Sequence, residues 1–542
     1  MLADINKEVC MTDVLIIGSG GAGLVAAIAA KEAGANVKVV GKSFPTRSQT
    51  SMAQGGMNAA MGNVKEDSVE AHIADTLKSA QGLADEKSVH RLCTEAIPSI
   101  QWLDRIGLPF SRTHEGKIAQ RQLGGASSIR ACYAQDYTGL KVLHTLYDKA
   151  CKIGIDFVNE YFLLNLIKED EGLSGATFLN LRTGEVEAIH AKSIIMATGG
   201  YSRVYHGYST NSTSATGDGL AVALRAGAKL SDLEFVQFHP TGLKNSSILI
   251  SESARGAGGL LLNADKERFT NELAPRDVVA RAIADEIDRG GEVYLDIRHL
   301  GEDFIDKELP QERKLAISYE GVDPVVDLIP IKSVAHYTMG GIDVDENAMS
   351  CISGLFAAGE CANNKVHGAN RLGGNSLLEL VVFGRLAGEN AAKFSINNTI
   401  TVKNDKQLKD DIDFIEGIKT FSHEQDFYEK REFLGRSFYE RAGIKRNEDA
   451  LTSLLQDLQS IQKDFSLMGP KDRSKVYNTN LLEFLEFGNI LSLSEVLLVG
   501  ALARKESRGA HYREDKKEKD DENFKGHTKV WKEKDELCIA FN

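Results

Sequence analysis

The sequence is poor in cysteine, has no unbroken apolar run of membrane-spanning length, and carries no excess of basic charge. Its seven cysteines (Cys10, Cys93, Cys132, Cys151, Cys351, Cys361, Cys538) are scattered without a C-x-x-C pair, so neither a disulfide framework nor a metal or iron–sulfur ligand set is expected. That usage fits a reducing compartment. The net charge of -13 argues against a nucleic-acid surface. Residues 14–30 come closest to a membrane span, but glycines interrupt them and they read as strand, turn and helix. The first ten residues, with Asp4 and Glu8, do not resemble a signal peptide. A cytoplasmic chain is expected, one still able to dock on a membrane-bound partner. With 542 residues, 42% hydrophobic and 26% charged, the chain is a soluble globular protein too long for one core, and two to four domains are expected.

What is present is organised around one stretch. Asp13-Val-Leu-Ile-Ile feeds Gly18-Ser19-Gly20-Gly21-Ala22-Gly23, and the alanine-rich Leu24-Val-Ala-Ala-Ile-Ala-Ala leaves it. Glycines at G-x-G-x-x-G spacing between a strand and a helix form a dinucleotide-binding fingerprint. Gly18 allows the tight turn, Gly20 a close approach to a pyrophosphate, and Gly23 close helix–strand packing. The helix N-terminus turns free N–H groups toward the phosphates. A second strand, Val37 to Val40, closes the unit, but Gly41-Lys42-Ser43 follows where an NAD site would place an acid. A standard NAD site is thereby disfavoured; Lys42 and Ser43 remain candidates for the adenosine end.

The loop Phe44-Pro-Thr-Arg-Ser48-Gln49-Thr50-Ser-Met-Ala-Gln54-Gly55-Gly56 is small and polar, suited to pass beside a flat ring and hydrogen-bond to it. Helices are predicted within 64–106, including one from Ser88 to Ile106, and again over 137–147. Strands with turns at Glu171-Gly172 and Thr183-Gly184 fill 155–196. They end in Ser193-Ile-Ile-Met-Ala-Thr198-Gly199-Gly200, a buried strand entering a glycine turn. Asp218 then opens a helix, either as its cap or as a ligand for a cofactor hydroxyl. The segment from about His239 to His336 collects prolines, histidines and arginines near loops and reads as an inserted domain. The chain returns with Gly354-Leu-Phe-Ala-Ala-Gly359-Glu360, where Glu360 is placed for a ribose or ribitol hydroxyl. A helix beginning at Asn375-Ser376-Leu377 turns its N–H groups toward a ring carbonyl. After residue 405 the pattern becomes helical: one apolar stripe runs Leu451, Leu454, Leu455, Leu458, Ile461, and Leu481 to Leu502 suggests a further pair of helices. The charged end from Arg513 to Asn542 reads as a docking tail or a solvated surface.

Four cationic or titratable residues stand beside proline or glycine: His239, Arg276, His336 and Arg371. Ser251-Glu252-Ser-Ala-Arg255 adds a hydroxyl, an acid and another arginine. With a dinucleotide fold on both sides, this set suits a dianion, because arginines bind carboxylates bidentately.

At these residues the chain resembles the flavoprotein subunits of succinate dehydrogenase and fumarate reductase, with L-aspartate oxidase as a near relative. The resemblance covers nearly the whole length. It rests on Phe44-Pro-Thr-Arg-Ser-Gln-Thr, Gln54-Gly-Gly, Gln237-Phe-His-Pro-Thr-Gly, Glu252-Ser-Ala-Arg-Gly, Pro275-Arg-Asp-Val-Val-Ala-Arg, His336-Tyr-Thr-Met-Gly-Gly, His367-Gly-Ala-Asn-Arg-Leu-Gly-Gly-Asn-Ser and Arg508-Gly-Ala-His. It implies an α/β fold: a two-part FAD-binding domain (1–238 and 336–404) split by an α+β capping domain (239–335), then a helical domain (405–508) and a charged C-terminal segment (509–542). It implies that Gly18, Ser19, Gly20, Gly21, Ala22, Gly23, Lys42, Ser43, Ser48, Gln49, Thr50, Gln54, Gly55, Gly56, Thr198, Gly199, Asp218, Glu360, Ser376 and Leu377 hold FAD. It implies that His239, Ser251, His336 and Arg371 hold fumarate or succinate. Arg276 resembles the proton donor or acceptor, with Glu252 and Arg255 as its relay. An arginine serves as an acid only where crowding cations and lost solvent lower a pKa of roughly 12.5.

Two positions depart from the family pattern. Ser251 stands where a threonine is common, and the hydroxyl survives. Gln49 stands where many members carry a histidine bonded covalently to the flavin, so non-covalent FAD is expected. Covalent attachment tends to raise flavin potential; its absence favours fumarate reduction. The resemblance further implies an iron–sulfur partner subunit, since this chain has no cluster ligands, and a membrane-anchor or thiol- or quinone-linked partner that would hold the complex at the inner face of the membrane. L-aspartate oxidase is the alternative, against which Ala131-Cys-Tyr-Ala-Gln-Asp-Tyr-Thr-Gly and the C-terminal segment speak. A non-catalytic assembly subunit is another, against which the intact His239, Arg276, His336 and Arg371 speak.

Overall fold

The computed structural model of the chain describes residues 11–169, 172–399, 405–534 and 536–542. Cys10, Glu171 and residue 404, the predicted end of the second FAD-binding part, lie outside those residues.

The chain begins as its pattern predicts. Strand β1 (Met11–Ile17) enters helix α1 (Gly21–Glu32), and β2 (Val37–Gly41) returns parallel to β1. Alternate residues of β1 serve opposite faces, as period-2 geometry requires. Val14 and Ile16 pack under α1, while Leu15 and Ile17 join a second core on the other side. Three two-residue strands, β3 (Met57–Asn58), β4 (Gln120–Arg121) and β5 (Ala131–Cys132), make a small sheet beside the glycine loop. Between them run α2 (Val69–Ser79), α3 (Glu86–Thr94) and α4 (Ala96–Arg105). The helix predicted from Ser88 to Ile106 is therefore two helices. Pro98 lacks an N–H and its ring clashes with the preceding turn, so the helix restarts at Ala96.

After α5 (Thr138–Lys152) come β6 (Asp156–Asn159), β7 (Tyr161–Glu169), β8 (Gly172–Asn180) and β9 (Glu185–Met196). The main sheet has the order β6-β2-β1-β9-β8-β7, parallel from β6 to β9 and antiparallel beyond. Helix α6 (Asp218–Arg225) and the short β10 (Leu230–Ser231) follow. β11 (Val236–Leu243), α7 (Glu252–Gly256), β12 (Leu260–Leu262), α8 (Arg276–Asp288), β13 (Val293–Asp296), α9 (Glu302–Glu308), α10 (Pro310–Glu320) and β14 (Ile329–Thr338) then build a separate antiparallel sheet, β11-β14-β13-β12, with its own apolar core. The chain returns through β15 (Gly341–Asp343), and β16 (Leu355–Ala357) pairs with β9 of the main sheet. After β17 (Ala362–Asn363), α11 (Asn375–Asn397) packs on α1. Alanine Cβ atoms at Gly384 and Gly388 would lie 3.0 and 2.3 Å from the Ala22 and Ala26 carbonyl oxygens. Those glycines let the two helix backbones meet.

The helical region comprises α12 (Lys406–Ile418), α13 (Phe427–Arg441), α14 (Glu448–Lys463) and α15 (Thr479–Ala503). The pair of helices expected over 481–502 is one helix of 25 residues. It is also long and apolar enough to cross a membrane, contrary to the sequence reading, yet 72% of its most apolar stretch is buried inside this fold. Being apolar all round, it is the core helix of the region, which blurs any one-sided pattern.

The charged end is more than a solvated surface, because part of it joins a sheet. After the short α16 (Asp521–Phe524), β18 (Thr528–Glu533) pairs with β10 and with β19 (Glu536–Phe541). Arg504 and Arg508, both buried, hold Glu506 between them. Arg504 donates Nη1 to Glu506 Oε1 at 2.9 Å, and Arg508 donates to both Glu506 oxygens at 2.7 and 2.8 Å.

Candidate active site

Two joined regions make the site. The first is an open cleft above the C-terminal ends of β1, β2 and β9, at the start of α1. Gly18, Ser19, Gly20, Gly21, Ala22, Lys42, Ser43, Ser48, Gln49, Thr50, Thr198, Gly199, Asp218, Glu360, Ser376 and Leu377 all line it. Gly18 has φ +110°, and a Cβ there would lie 2.2 Å from the Ala197 carbonyl oxygen, so only glycine fits the turn.

Gly23, Gln54, Gly55 and Gly56 do not line the cleft. Gly23 is a packing residue: a Cβ there would lie 1.9 Å from the Gly18 carbonyl oxygen. The Gln54 and Gly55 carbonyls accept from Arg121 at 3.0 and 2.9 Å, and Gly56 (φ +123°) lies against the Cys132 carbonyl. Lys42 lines the cleft, but its ammonium is committed: it donates to Asp218 and Glu486 at 2.6 Å each and to Thr216 at 2.9 Å. Asp218 does not cap α6; it also accepts from Asn489 at 2.9 Å. Gln49 Oε1 accepts the Ser212 N–H at 2.6 Å. Glu360 Oε1 accepts the N–H and hydroxyl of Thr338 at 2.9 and 3.1 Å. Burial raises the Glu360 carboxyl to about 7.

These residues fit FAD. Gly18, Gly20 and Gly21 present bare backbone to the cleft, which suits a phosphate. Ser48 Oγ is buried without a partner and lies across from Gly20. The N-terminus of α11 also opens on the cleft, at Ser376 and Leu377. Gly374 (φ +86°) lets the chain turn there, over Asn58, which donates to the Gly373 carbonyl at 2.7 Å.

The second region adjoins the cleft at His336 and Tyr337. The His336 and His239 rings stand 4.8 Å apart. His239 is buried, and the Thr241 N–H donates to its Nδ1 at 3.2 Å, which leaves Nε2 to carry the proton. Both imidazoles are held well below their ordinary value, by burial first and then by Arg276, so both are neutral. His336 Nδ1 pairs with Thr210 Oγ1 at 2.8 Å.

Arg276 opens α8 just after Pro275, which cannot continue a strand ladder and pre-sets the turn. It donates Nη2 and Nε to Glu252 Oε2 at 2.5 and 3.1 Å, and Nη1 to Gln237 Oε1 at 3.0 Å. Gln237 Nε2 donates to the Arg371 carbonyl at 2.8 Å, tying the two arginines together. Arg371 lies 4.3 Å over the Tyr337 ring; burial, then Arg276, lowers it to about 10. Arg255 stands 3.5 Å from Glu252 Oε1. Burial pushes Glu252 up, but Arg276, Arg255 and Arg371 outweigh it and hold the carboxyl below its usual range. Glycines make room for that carboxylate: a Cβ on Gly124 or Gly373 would lie 2.4 or 2.7 Å from its oxygens. Ser251 caps α7, accepting the Ser253 N–H at 3.0 Å.

The predicted substrate and proton residues thus gather in one interior. Three guanidinium groups crowd the Glu252 carboxylate and hold it below its usual range, a cationic interior that suits a dicarboxylate, although Glu272 beside Arg255 and Glu360 near Arg371 offset part of the charge. Sequence reasoning missed Gln237, Tyr337 and Glu312. Gln237 lies within the quoted Gln-Phe-His-Pro-Thr-Gly stretch, which was the available signal. Glu312 sits in an ordinary charged helix segment and gave none.

A family model for an FAD binding domain matches residues 13–377, and one for the fumarate reductase flavoprotein C-terminus matches 431–541. The chain is similar to the 8-methylmenaquinol:fumarate reductase flavoprotein subunit of Wolinella succinogenes, at 43% identity over 96% of this chain and 88% of that one. It is similar to the succinate dehydrogenase flavoprotein subunit of Rickettsia conorii, at 39% identity over 95% and 92%. Among solved structures, a quinol-fumarate reductase with menaquinol superposes with a TM-score of 0.93 at 38% identity, covering 98% of each chain.

Proposed function

The chain belongs to the succinate dehydrogenase and fumarate reductase flavoprotein family, and is an FAD-dependent oxidoreductase subunit of it; from that premise we propose how it works and with what. It interconverts fumarate and succinate in the interior beside the cleft. His239, Ser251, His336 and Arg371 hold the two carboxylates. The positive field of Arg371 and Arg276, with hydrogen bonds from the neutral histidines, polarises the double bond and makes its β-carbon electrophilic. Bound FAD supplies the hydride acceptor or donor. Reduction of fumarate takes up one hydride and one proton, and Arg276 delivers the proton to the adjacent carbon. Glu252, between Arg276 and Arg255, passes a replacement proton inward; oxidation of succinate runs the same path in reverse. The buried site excludes water, which strengthens each of these interactions.

The single observation that carries this reading is the charge balance of the interior: Arg255, Arg276 and Arg371 set against Glu252, with two neutral histidines. The FAD is held without a covalent bond, since Gln49 offers no nucleophilic nitrogen. Electrons pass to or from an iron–sulfur partner subunit, and the complex lies at the cytoplasmic face of a membrane through further subunits. The relatives named as flavoprotein subunits support that assembly.

The test is a three-substrate assay on the purified chain: fumarate-dependent oxidation of reduced viologen, succinate-dependent reduction of a dye, and L-aspartate. Fast fumarate reduction with slow succinate oxidation is expected. Equal rates would remove Gln49 as the cause of the bias, and turnover of aspartate would overturn the fumarate/succinate reading.

A further inference from the structure

The proposed mechanism leaves one buried acid without a task. Glu312, in the first turn of α10, is fully buried. Its Oε1 accepts the Ser251 N–H at 3.1 Å and lies 3.5 Å from Ser253 Oγ, at the limit of hydrogen bonding. Its Oε2 has no partner. The Ser251 and Ser253 hydroxyls stand 2.5 Å apart, so one donates to the other. A chain of three groups therefore runs from Glu312 through Ser253 to Ser251. Ser251 is itself fixed beside His239: Thr241, whose N–H holds the His239 ring, also donates Oγ1 to the Ile250 carbonyl at 2.6 Å.

We propose that Glu312 is a positioning residue for the dicarboxylate site, whose protonation state sets which way the Ser253–Ser251 hydroxyl chain points. The proposal rests on the dicarboxylate reading given above. When Glu312 is neutral it is a weak acceptor. The Ser253 hydroxyl then donates to Ser251 Oγ, and the Ser251 hydroxyl is free to donate to a substrate carboxylate. When Glu312 is ionised, the Ser253 hydroxyl turns to it, the Ser251 hydroxyl turns to Ser253, and Ser251 shows the substrate only lone pairs. Binding of the dianion weakens.

The surroundings favour the neutral form at neutral pH. Asp136, in the segment before α5, accepts the Gln311 and Glu312 N–H groups at 2.7 and 3.3 Å, and its other oxygen is also buried without a partner. Tyr137 faces the same two carboxyls. Arg121 of β4, lying 4.1 Å over the Tyr133 ring, is the opposing cation, with Glu308 at the end of α9 near it. Burial first, and Asp136 second, raise Glu312 to about 8, against the Ser251 N–H and Arg121. The site therefore loses affinity as pH rises through that value.

The experiment is calorimetric titration of the FAD-loaded protein with malonate, a dicarboxylate with no CH–CH bond to oxidise, from pH 6.5 to 9. If only the neutral form binds, Kd rises about tenfold between pH 7 and 9. In Glu312→Gln, which stays neutral and keeps an acceptor for the Ser251 N–H, the rise is expected to fall below about twofold. In Ser253→Ala, which keeps Glu312 but breaks the chain, it is also expected to flatten. The same alkaline loss in wild type and Glu312→Gln, with the variant still folded by its flavin absorbance, overturns the proposal alone. A flat wild-type profile does the same. No malonate binding at any pH overturns the dicarboxylate reading and this proposal with it.

Discussion

Gly373→Ala puts a methyl carbon 2.7 Å from Glu252 Oε2 and 3.5 Å from Arg276 Nη2. Ordinary carbon–oxygen contact needs the carboxylate to retreat by about 0.5 Å or more. It cannot retreat freely, because Gly124 donates its N–H to the other oxygen at 3.0 Å and closes that side. The shift therefore falls on the Arg276–Glu252 contact, which begins at 2.5 Å. A misplacement of 1 Å costs roughly a hundredfold in rate, so half of that lowers kcat about tenfold. KM for fumarate changes by less than about threefold, because the methyl touches none of His239, Ser251 or His336. The weakened Arg276 contact also lets the Glu252 carboxyl rise from its depressed value, so the acid limb of the kcat profile moves to higher pH. Steady-state fumarate reduction with reduced viologen, followed from acid to neutral pH, reads all three. A kcat within twofold of wild type with an unmoved acid limb would refute the reasoning, as would a rise confined to KM.

Three further outcomes are expected. Acid precipitation of the wild-type protein releases its flavin into the supernatant, and flavin retained in the pellet would contradict the role given to Gln49. Lys42→Ala strands Asp218 and Glu486, both largely buried. Breaking such a pair costs about 3–5 kcal/mol, so melting temperature and FAD affinity fall together; an unchanged FAD titration would count against it. Burial alone would push His527 down, but Asp232, 2.6 Å away, outweighs it and holds the imidazole above 6.5. The contact's stability is thus fully present below pH 6.5 and is lost as pH rises through the folded value. Amide exchange in β18 and β19, corrected for intrinsic rates, should quicken over that rise in wild type and stay flat in His527→Gln.

Much of this was legible before the structure. The strand, the three glycines and the alanine helix at 13–30 agree locally on one arrangement, so they specified the cleft. Proline and glycine marked the positions of His239, Arg276, His336 and Arg371, but only Arg371 lies on a loop: His239 and His336 stand on β11 and β14, and Arg276 opens α8. Where the reading failed, a longer-range effect ruled. Pro98 split a helix whose apolar pattern continued across it. The helix over 479–503 lies in a core on all sides, so periodicity could not show it as one piece. Some of the C-terminal charges looked solvated because their partners, Glu448 for Arg513, Asp232 for His527 and Asp343 for Lys529, are brought to them only by folding. Lys42 read as a cofactor ligand because Glu486, its partner at 2.6 Å, lies 444 residues away. Glu312 was invisible for the same reason: its burial is made by Asp136, Arg121 and Ser251, from three separate segments.

The most direct test of the central claim is a single-turnover experiment without any partner subunit. The FAD-loaded chain is reduced anaerobically and mixed with fumarate in a stopped-flow instrument, and flavin absorbance is followed. The account predicts complete reoxidation at a rate that saturates with fumarate, forming one succinate per flavin, and slowed by at least about a hundredfold in Arg276→Gln. Reduced flavin that persists in the presence of fumarate, or that reoxidises equally fast in Arg276→Gln, would contradict it.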